Sequence, residues 1–270
     1  MLRITKQKKT IVKNNLLAYQ YVGYISEAIR NRIPFKYSEV NQLGARLSGK
    51  TTSDNIELVR AIIAAGHTKQ KLFISILRMR HNMVAKAWKD IIGVLNMFRI
   101  PFKTWTGEKR IQVWTTKIQV IGCYTTNSNE ITLLGYDIQD AKCGEIVFEE
   151  AKEFDEKTIN AVLVAVRGDR HQTVIYRSNP YLLSWWYVKK CYKEVMFDIN
   201  ILKHGTGNQF VEKDDKVYHY MNCWVNPFLS SANITYLKGI LKNNPTLAET
   251  EIMVFLERPV AWSLRDIWIR

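Results

Sequence analysis

The chain has 270 residues, 39 of them Lys or Arg and 25 Asp or Glu, for a formal net charge of +14. With 47% hydrophobic and 24% charged residues it can fill one large α/β domain or two small ones, which excludes the disordered and low-complexity classes. The basic excess points to an anionic partner such as nucleic acid, nucleotide or membrane surface. No stretch approaches 18 uninterrupted apolar residues, so no membrane span is expected. Cys123, Cys143, Cys191 and Cys223 lack the spacing of a zinc clip or a disulfide framework, which fits a reducing compartment.

The first 13 residues are basic and carry no acid, and no continuous apolar segment follows them, so they read as a tail or a nucleic-acid arm rather than a signal peptide. Apolar residues over 14–31 recur at helical spacing and predict one packed helix, ended by Pro34. A short strand over 35–40 follows. Ile56, Val59, Ile62 and Ile63 then mark one face of a helix, with Gly66 as its stop. Strand 72–77 and helix 83–97 come next, then strand-like runs at 111–116, 118–124 and 131–136. A strand from residue 144 runs straight into acids. A helix at 156–166, a strand at 173–180 with a polar turn at Pro180, and a helix around 236–241 complete the pattern. Strands alternating with helices predict an α/β fold with a mainly parallel sheet. The expected organisation is a basic helical segment over 1–34, a core over 35–200 and an appendage over 201–270.

Between strand and helix stands G-x-x-x-x-G-K-T: Gly44, Ala45, Arg46, Leu47, Ser48, Gly49, Lys50 and Thr51, followed by Thr52. This is the pattern of a phosphate-binding loop. Glycines let consecutive N–H groups wrap a phosphate, and the helix N-terminus adds partial positive charge. Lys50 would reach the β- and γ-phosphates, and Thr51 would offer its hydroxyl to Mg²⁺. Arg46 would neutralise charge developing on the γ-phosphoryl group, or else is a solvated loop arginine.

Such a loop needs a carboxylate at the end of a nearby buried strand. Ile146, Val147, Phe148, Glu149 and Glu150 meet that demand. Glu149 would hold Mg²⁺ and Glu150 would polarise the attacking water; the plainer reading is an acidic helix start. Ser178 and Asn179, at the tip of the strand ending in Arg177, would sense the γ-phosphate, or else form only a turn.

The ordered set GARLSGKTT, EIVFEEAKEF, VRGDR, YRSNP, the WW segment and VNPFLSSANITYLKGI resembles the ATPase domain of the large terminase subunit of tailed bacteriophages and prophages, over about residues 35–245. The resemblance implies a P-loop NTPase fold of the RecA-like type. It implies ATP and Mg²⁺ as cofactors, with Lys50 and Thr51 on phosphate and metal, Arg46 as the loop arginine and Glu149 as the metal acid. Glu150 becomes the catalytic glutamate, and Ser178 and Asn179 the coupling motif. The partners implied are double-stranded DNA, a small terminase subunit, the capsid portal and further copies in a ring, with no membrane, in the cytoplasm of a bacterial host. The family usually carries a nuclease domain after the ATPase. The last 20 residues hold only Glu251, Glu257 and Asp266 as acids, so no two-metal nuclease is expected in them.

Two rival readings stay open: a non-hydrolysing remnant that binds nucleotide or DNA, and another phosphate-loop ATPase. Trp185, Trp186, Tyr187 and Tyr192 interleave with Lys189, Lys190 and Lys193. That stripe is either a helix packing its rings inward or a surface stacking on bases.

Overall fold

The computed structural model describes residues 24–45, 47–124, 144–165, 172–179, 191, 209–221, 223, 226 and 229–244. The expected elements at 14–23 and 131–136, the aromatic stripe of 184–197, the C-terminal acids and Arg46 lie outside the described residues.

In chain order the elements are α1 (Tyr24–Asn31), β1 (Glu39–Gly44), α2 (Lys50–Thr68), β2 (Leu72–Arg80), α3 (Val84–Met97), β3 (Lys103–Trp105), β4 (Arg110–Val113) and β5 (Thr116–Tyr124). Then come β6 (Gly144–Glu149), α4 (Glu156–Ala165), β7 (Gln172–Ser178), β8 (Gln209–Lys213), β9 (Lys216–Met221) and α5 (Ser231–Asn243). The described strands form one sheet in the order β3-β4-β5-β2-β6-β7-β1-β9-β8. The six central strands, β5 to β9 in that order, pair in parallel, and antiparallel hairpins extend both edges. This is the mainly parallel sheet expected from the alternating pattern.

Helices cover both faces. Ile25 and Ile29 of α1, Val59 and Ile62 of α2, and Trp88, Ile91 and Leu95 of α3 bury against Val40, Ile74, Val147 and Ile175 on one face. Ile159 and Val162 of α4 and Leu237 of α5 bury against Leu43, Leu77, Phe148 and Tyr176 on the other. Each of the six central strands therefore splits its side chains between two cores, which explains the near-continuous apolar runs at 72–77 and 146–148.

Three boundaries and one hairpin differ from the sequence reading. The strand entering the loop is Glu39–Gly44 rather than 35–40. Asn41 and Gln42 read as loop residues because they are polar, yet both are fully buried inside β1. Helix α2 runs past Gly66 to Thr68 and ends at Lys69, whose N–H closes on Ala65 and Gly66. The run 111–116 is the corner of a hairpin, with Val113 ending β4 and Thr116 opening β5. The β8–β9 hairpin was not anticipated, and β9 pairs directly with β1.

Candidate functional site

The topology sets the loop beside the acids. β7 lies between β1, which feeds the loop, and β6, which ends in Glu149. Residues at the carboxyl ends of these three strands therefore meet at one edge of the sheet, where open α/β sheets place their ligands.

The loop is pinned by backbone and side chain. Ala45 N–H donates to Met221 O (2.9 Å), Ser48 N–H donates to Ala45 O (3.2 Å) and Asn226 Nδ2 donates to Leu47 O (2.8 Å). Leu47 and Gly49 take φ values of 62° and 91°, the left-handed bends that turn the chain into α2. No side chain caps α2 at Gly49. By contrast, Asp155 Oδ1 accepts from Thr158 N–H at the start of α4, and Ser230 Oγ accepts from Asn233 N–H at the start of α5. Gly49 offers α2 no capping side chain, and an anion suits the N–H groups of such a helix start.

Lys50 folds back over the loop. Its Nζ donates to Gly44 O (2.7 Å), Ala45 O (3.2 Å) and Asn179 Oδ1 (2.7 Å). Burial lowers its pKa to about 8, although Glu150, Glu149 and Asp54 pull the other way. A bound phosphate would add negative charge beside this buried ammonium.

The strand-end acids are anchored from below. Phe148 stacks on Tyr176 at 5.1 Å and meets Phe154 edge-on at 5.2 Å, contacts worth about 0.5–1.5 kcal/mol each. They fix the end of β6. Glu150 then sits at φ 57°, ψ 56°, a left-handed conformation that a non-glycine residue holds only when its surroundings demand it. Ser178 Oγ donates to Glu150 Oε2 at 3.3 Å. The structure therefore brings Lys50, Glu149, Glu150, Ser178 and Asn179 together. Thr51 lines the same cleft, of about 510 Å³. Thr52 lies in the first turn of α2, and its side chain, like Arg46, lies outside what is described.

A second layer was not read from the sequence. Glu149 and Arg177 are register partners across β6 and β7, and Arg177 and Gln42 are partners across β7 and β1. Arg177 Nη1 donates to Glu149 Oε2 (2.8 Å), and its Nε donates to Gln42 Oε1 (3.2 Å) and makes an ionic contact with Asp54 Oδ2 (2.5 Å). Gln42 Nε2 donates to Asp54 Oδ1 at 2.6 Å. Burial alone would lower the Arg177 pKa, but Asp54 and Glu149 outweigh it and leave the guanidinium firmly charged. Burial raises Asp54 to about 6 against the pull of Arg177 and Gln42. On the far side of Glu149 stands Arg78 of β2, with Nη1 3.9 Å from Glu149 Oε1. A signal for two members of this layer was present: Arg78 and Arg177 are charged interruptions near the carboxyl ends of largely apolar strands.

No curated protein sequence matches the chain. Its fold is similar to that of the large terminase from a thermophilic bacteriophage, with a TM-score of 0.58 and 13% identity, covering 86% of this chain and 52% of that one. The same phage protein in complex with ATP-γ-S gives 0.56 and 12%, covering 87% and 52%. The large terminase ATPase domain of Thermus phage P74-26 gives 0.50 and 15%, covering 93% and 98%. The chain spans about half the length of the first of these proteins. The shared fold is that of a P-loop NTPase, as expected from the loop and its flanking elements. The family model for the phage terminase large subunit matches residues 43–253, from the last residues of β1 to beyond α5, and the chain belongs to that family.

Proposed function

We propose that this chain is an ATP-hydrolysing motor domain that drives double-stranded DNA into a procapsid. The observation that carries this reading is the convergence of Lys50, Glu149, Glu150 and Asn179 on one cleft at the N-terminus of α2, with the buried Ser178 donating to Glu150. Membership of the terminase family supplies the DNA-packaging context. The ATP-γ-S complex of the thermophilic phage terminase supports an adenine nucleotide as ligand.

In this reading the loop amides and Lys50 take the phosphates, with Asn179 giving up its place at Nζ. Thr51 and Glu149 would hold Mg²⁺. Both offer hard oxygen donors to the same cleft, which suits an ion that draws its remaining ligands from phosphate and water. The bound ion supplies neutralisation of phosphate charge. Glu150 accepts a proton from water as the water oxygen attacks the γ-phosphorus. The bond from that phosphorus to the bridging oxygen breaks, and ADP leaves with the electron pair. Arg46 would add a second cation to the loop. Ser178 contacts Glu150 and Asn179 contacts Lys50, so loss of the γ-phosphate would be felt on β7 and passed to the DNA-gripping parts of the molecule. The working assembly would be a ring of copies at the portal, served by a small terminase subunit, in the host cytoplasm. The charge of +14 suits phosphate contacts along a duplex.

The test is phosphate release by the purified chain with Mg²⁺ and ATP, with and without duplex DNA, beside Glu150→Gln. Turnover that the substitution abolishes without weakening ATP binding supports the reading. Intact binding with no turnover in either protein, even with portal and small subunit added, would point to a non-hydrolysing relative.

A further inference from the structure

Arg78 is the anomaly of the site. It is 6% exposed, and its Nε is buried without a hydrogen-bond partner among the described residues. Its sole ionic contact there is the 3.9 Å approach to Glu149 Oε1, too long for a hydrogen bond. A guanidinium carries five N–H donors in a rigid fork. Leaving it buried and unmatched is costly. Arg177, on the other side of Glu149, is matched by Asp54, Gln42 and Glu149 itself. Glu149 therefore has its structural cation already, and Arg78 is surplus to holding the fold.

Its placement says what it is for. Leu77 of β2 is the register partner of Phe148 of β6, so the next residue, Arg78, stands beside Glu149. It lines the same cleft as Lys50 and Glu150. The α- and β-phosphates of a nucleotide would occupy the loop, on the β1 side. Arg78 lies across the strand-end acids from it, where the terminal phosphate would face the water held by Glu150. We propose that Arg78 is a second phosphate-binding cation of this site, taking the terminal phosphate of a nucleoside triphosphate from the side opposite Lys50. The inference rests on the phosphate-loop reading above and names a residue that reading does not use. A tetrahedral oxyanion accepting two N–H bonds would satisfy Arg78 and offset its burial in one step.

The test compares wild type, Arg78→Gln, Arg78→Lys and Lys50→Ala by calorimetry, with Mg²⁺ throughout. The probes are a non-hydrolysable β,γ-imido ATP analogue, ADP, and inorganic phosphate added to the ADP-loaded chain. Thermal melts are recorded for each. Arg78→Gln is expected to weaken the triphosphate analogue about tenfold or more, with ADP affinity changed less than about twofold. Arg78→Lys should recover part of the loss. The ligand-free melting temperature should stay the same or rise, because an unmatched buried charge has been removed. Phosphate binding that Arg78→Gln abolishes would mean that the subsite also holds the cleaved ion. Its absence, with the triphosphate effect intact, would mean that it grips only the tethered phosphate. Triphosphate affinity that does not change, or equal loss for both nucleotides together with a lower ligand-free melting temperature, would overturn the assignment. Lys50→Ala separates the two levels of argument. If it weakens nucleotide binding while Arg78→Gln does not, Arg78 alone has been misassigned. If it leaves binding unchanged, or wild type binds no nucleotide, the phosphate-loop reading falls and the Arg78 assignment with it.

Discussion

Nζ of Lys50 lies 2.7 Å from the side-chain oxygen of Asn179, which joins the phosphate loop to the tip of a strand 129 residues further along the chain. A phosphate arriving at Lys50 must compete with that amide. Asn179→Ala leaves the two loop carbonyls to hold the ammonium, so nucleotide affinity should change less than about threefold. If Asn179 reads the terminal phosphate, kcat should fall about tenfold or more, and the stimulation by duplex DNA should vanish. Steady-state kinetics beside a binding isotherm checks this. A parallel loss of affinity and turnover would mean that Asn179 only shapes the loop.

Arg177 makes the opposite prediction from Arg78, although both flank Glu149. Arg177→Met strands two largely buried carboxylates, Asp54 and Glu149, whose side chains are 4% and 16% exposed. Removing one partner of a buried ion pair costs about 3–5 kcal/mol. Adding Asp54→Leu should return part of that loss, with a coupling of about 0.5–3 kcal/mol. Urea unfolding of the two single variants and the double variant measures it. Additive effects would mean that the 2.5 Å contact contributes nothing to stability.

These arginines also show where the sequence could be read and where it could not. Helix α3 and the loop-to-helix junction at Lys50 were legible because their signals are local: apolar spacing in one case, a fixed spacing of glycines and lysine in the other. Glu149, Glu150, Ser178 and Asn179 were legible because each sits at the end of an apolar run. Gln42, Asp54, Arg78 and Arg177 gain their meaning only when four strands lie side by side and α2 packs on them. Gln42 misled outright: a buried amide that serves Asp54 and Arg177 looks, in the sequence, like the start of a loop. The hairpin of β8 and β9 was missed because QFVEK mixes charge with apolar residues as the edge strand it is, and the buried KVYHYM carries Lys216 and His219 among its apolar residues.

Glu57 and Glu145 set a pH dependence. Burial raises Glu57 to about 7, against the opposing pull of Ser26 and Arg60. Burial raises Glu145 to about 8, and neighbouring Glu57 and Asp54 add to it. Both carboxyls keep their protons in the folded chain at a pH where the unfolded chain, with values near 4.5, has lost them. The folded state therefore binds more protons, and stability falls as pH rises from about 4.5 to 8. The loss these two groups cause between pH 6 and 8 should be on the order of 4 kcal/mol. Glu145→Gln, at a carboxyl whose Oε1 has no hydrogen-bond partner among the described residues, should flatten the profile and stabilise the chain at pH 8. Urea midpoints at pH 6, 7 and 8 test it. Stability that rises across this window would contradict the buried, neutral state of both groups.

Gly44 is a tight point of the loop. A Cβ placed there would lie 2.5 Å from Lys50 Cδ and 2.8 Å from Ser48 Oγ. Lys50 crosses Gly44 because its Nζ reaches back to the carbonyls of Gly44 and Ala45. In Gly44→Ala the lysine stem must swing away, since the strand beneath is held on both sides by β7 and β9. The clash falls on a flexible side chain, so the fold should survive with a loss of about 1–2 kcal/mol. Nucleotide affinity should drop about tenfold or more, because Nζ no longer starts from its place over the loop and its charge-assisted bond to phosphate weakens. Titration with ADP and the ATP analogue, next to a thermal melt, separates the two effects. An intact fold with unchanged affinity would show that Lys50 reaches phosphate by a route that does not pass over Gly44.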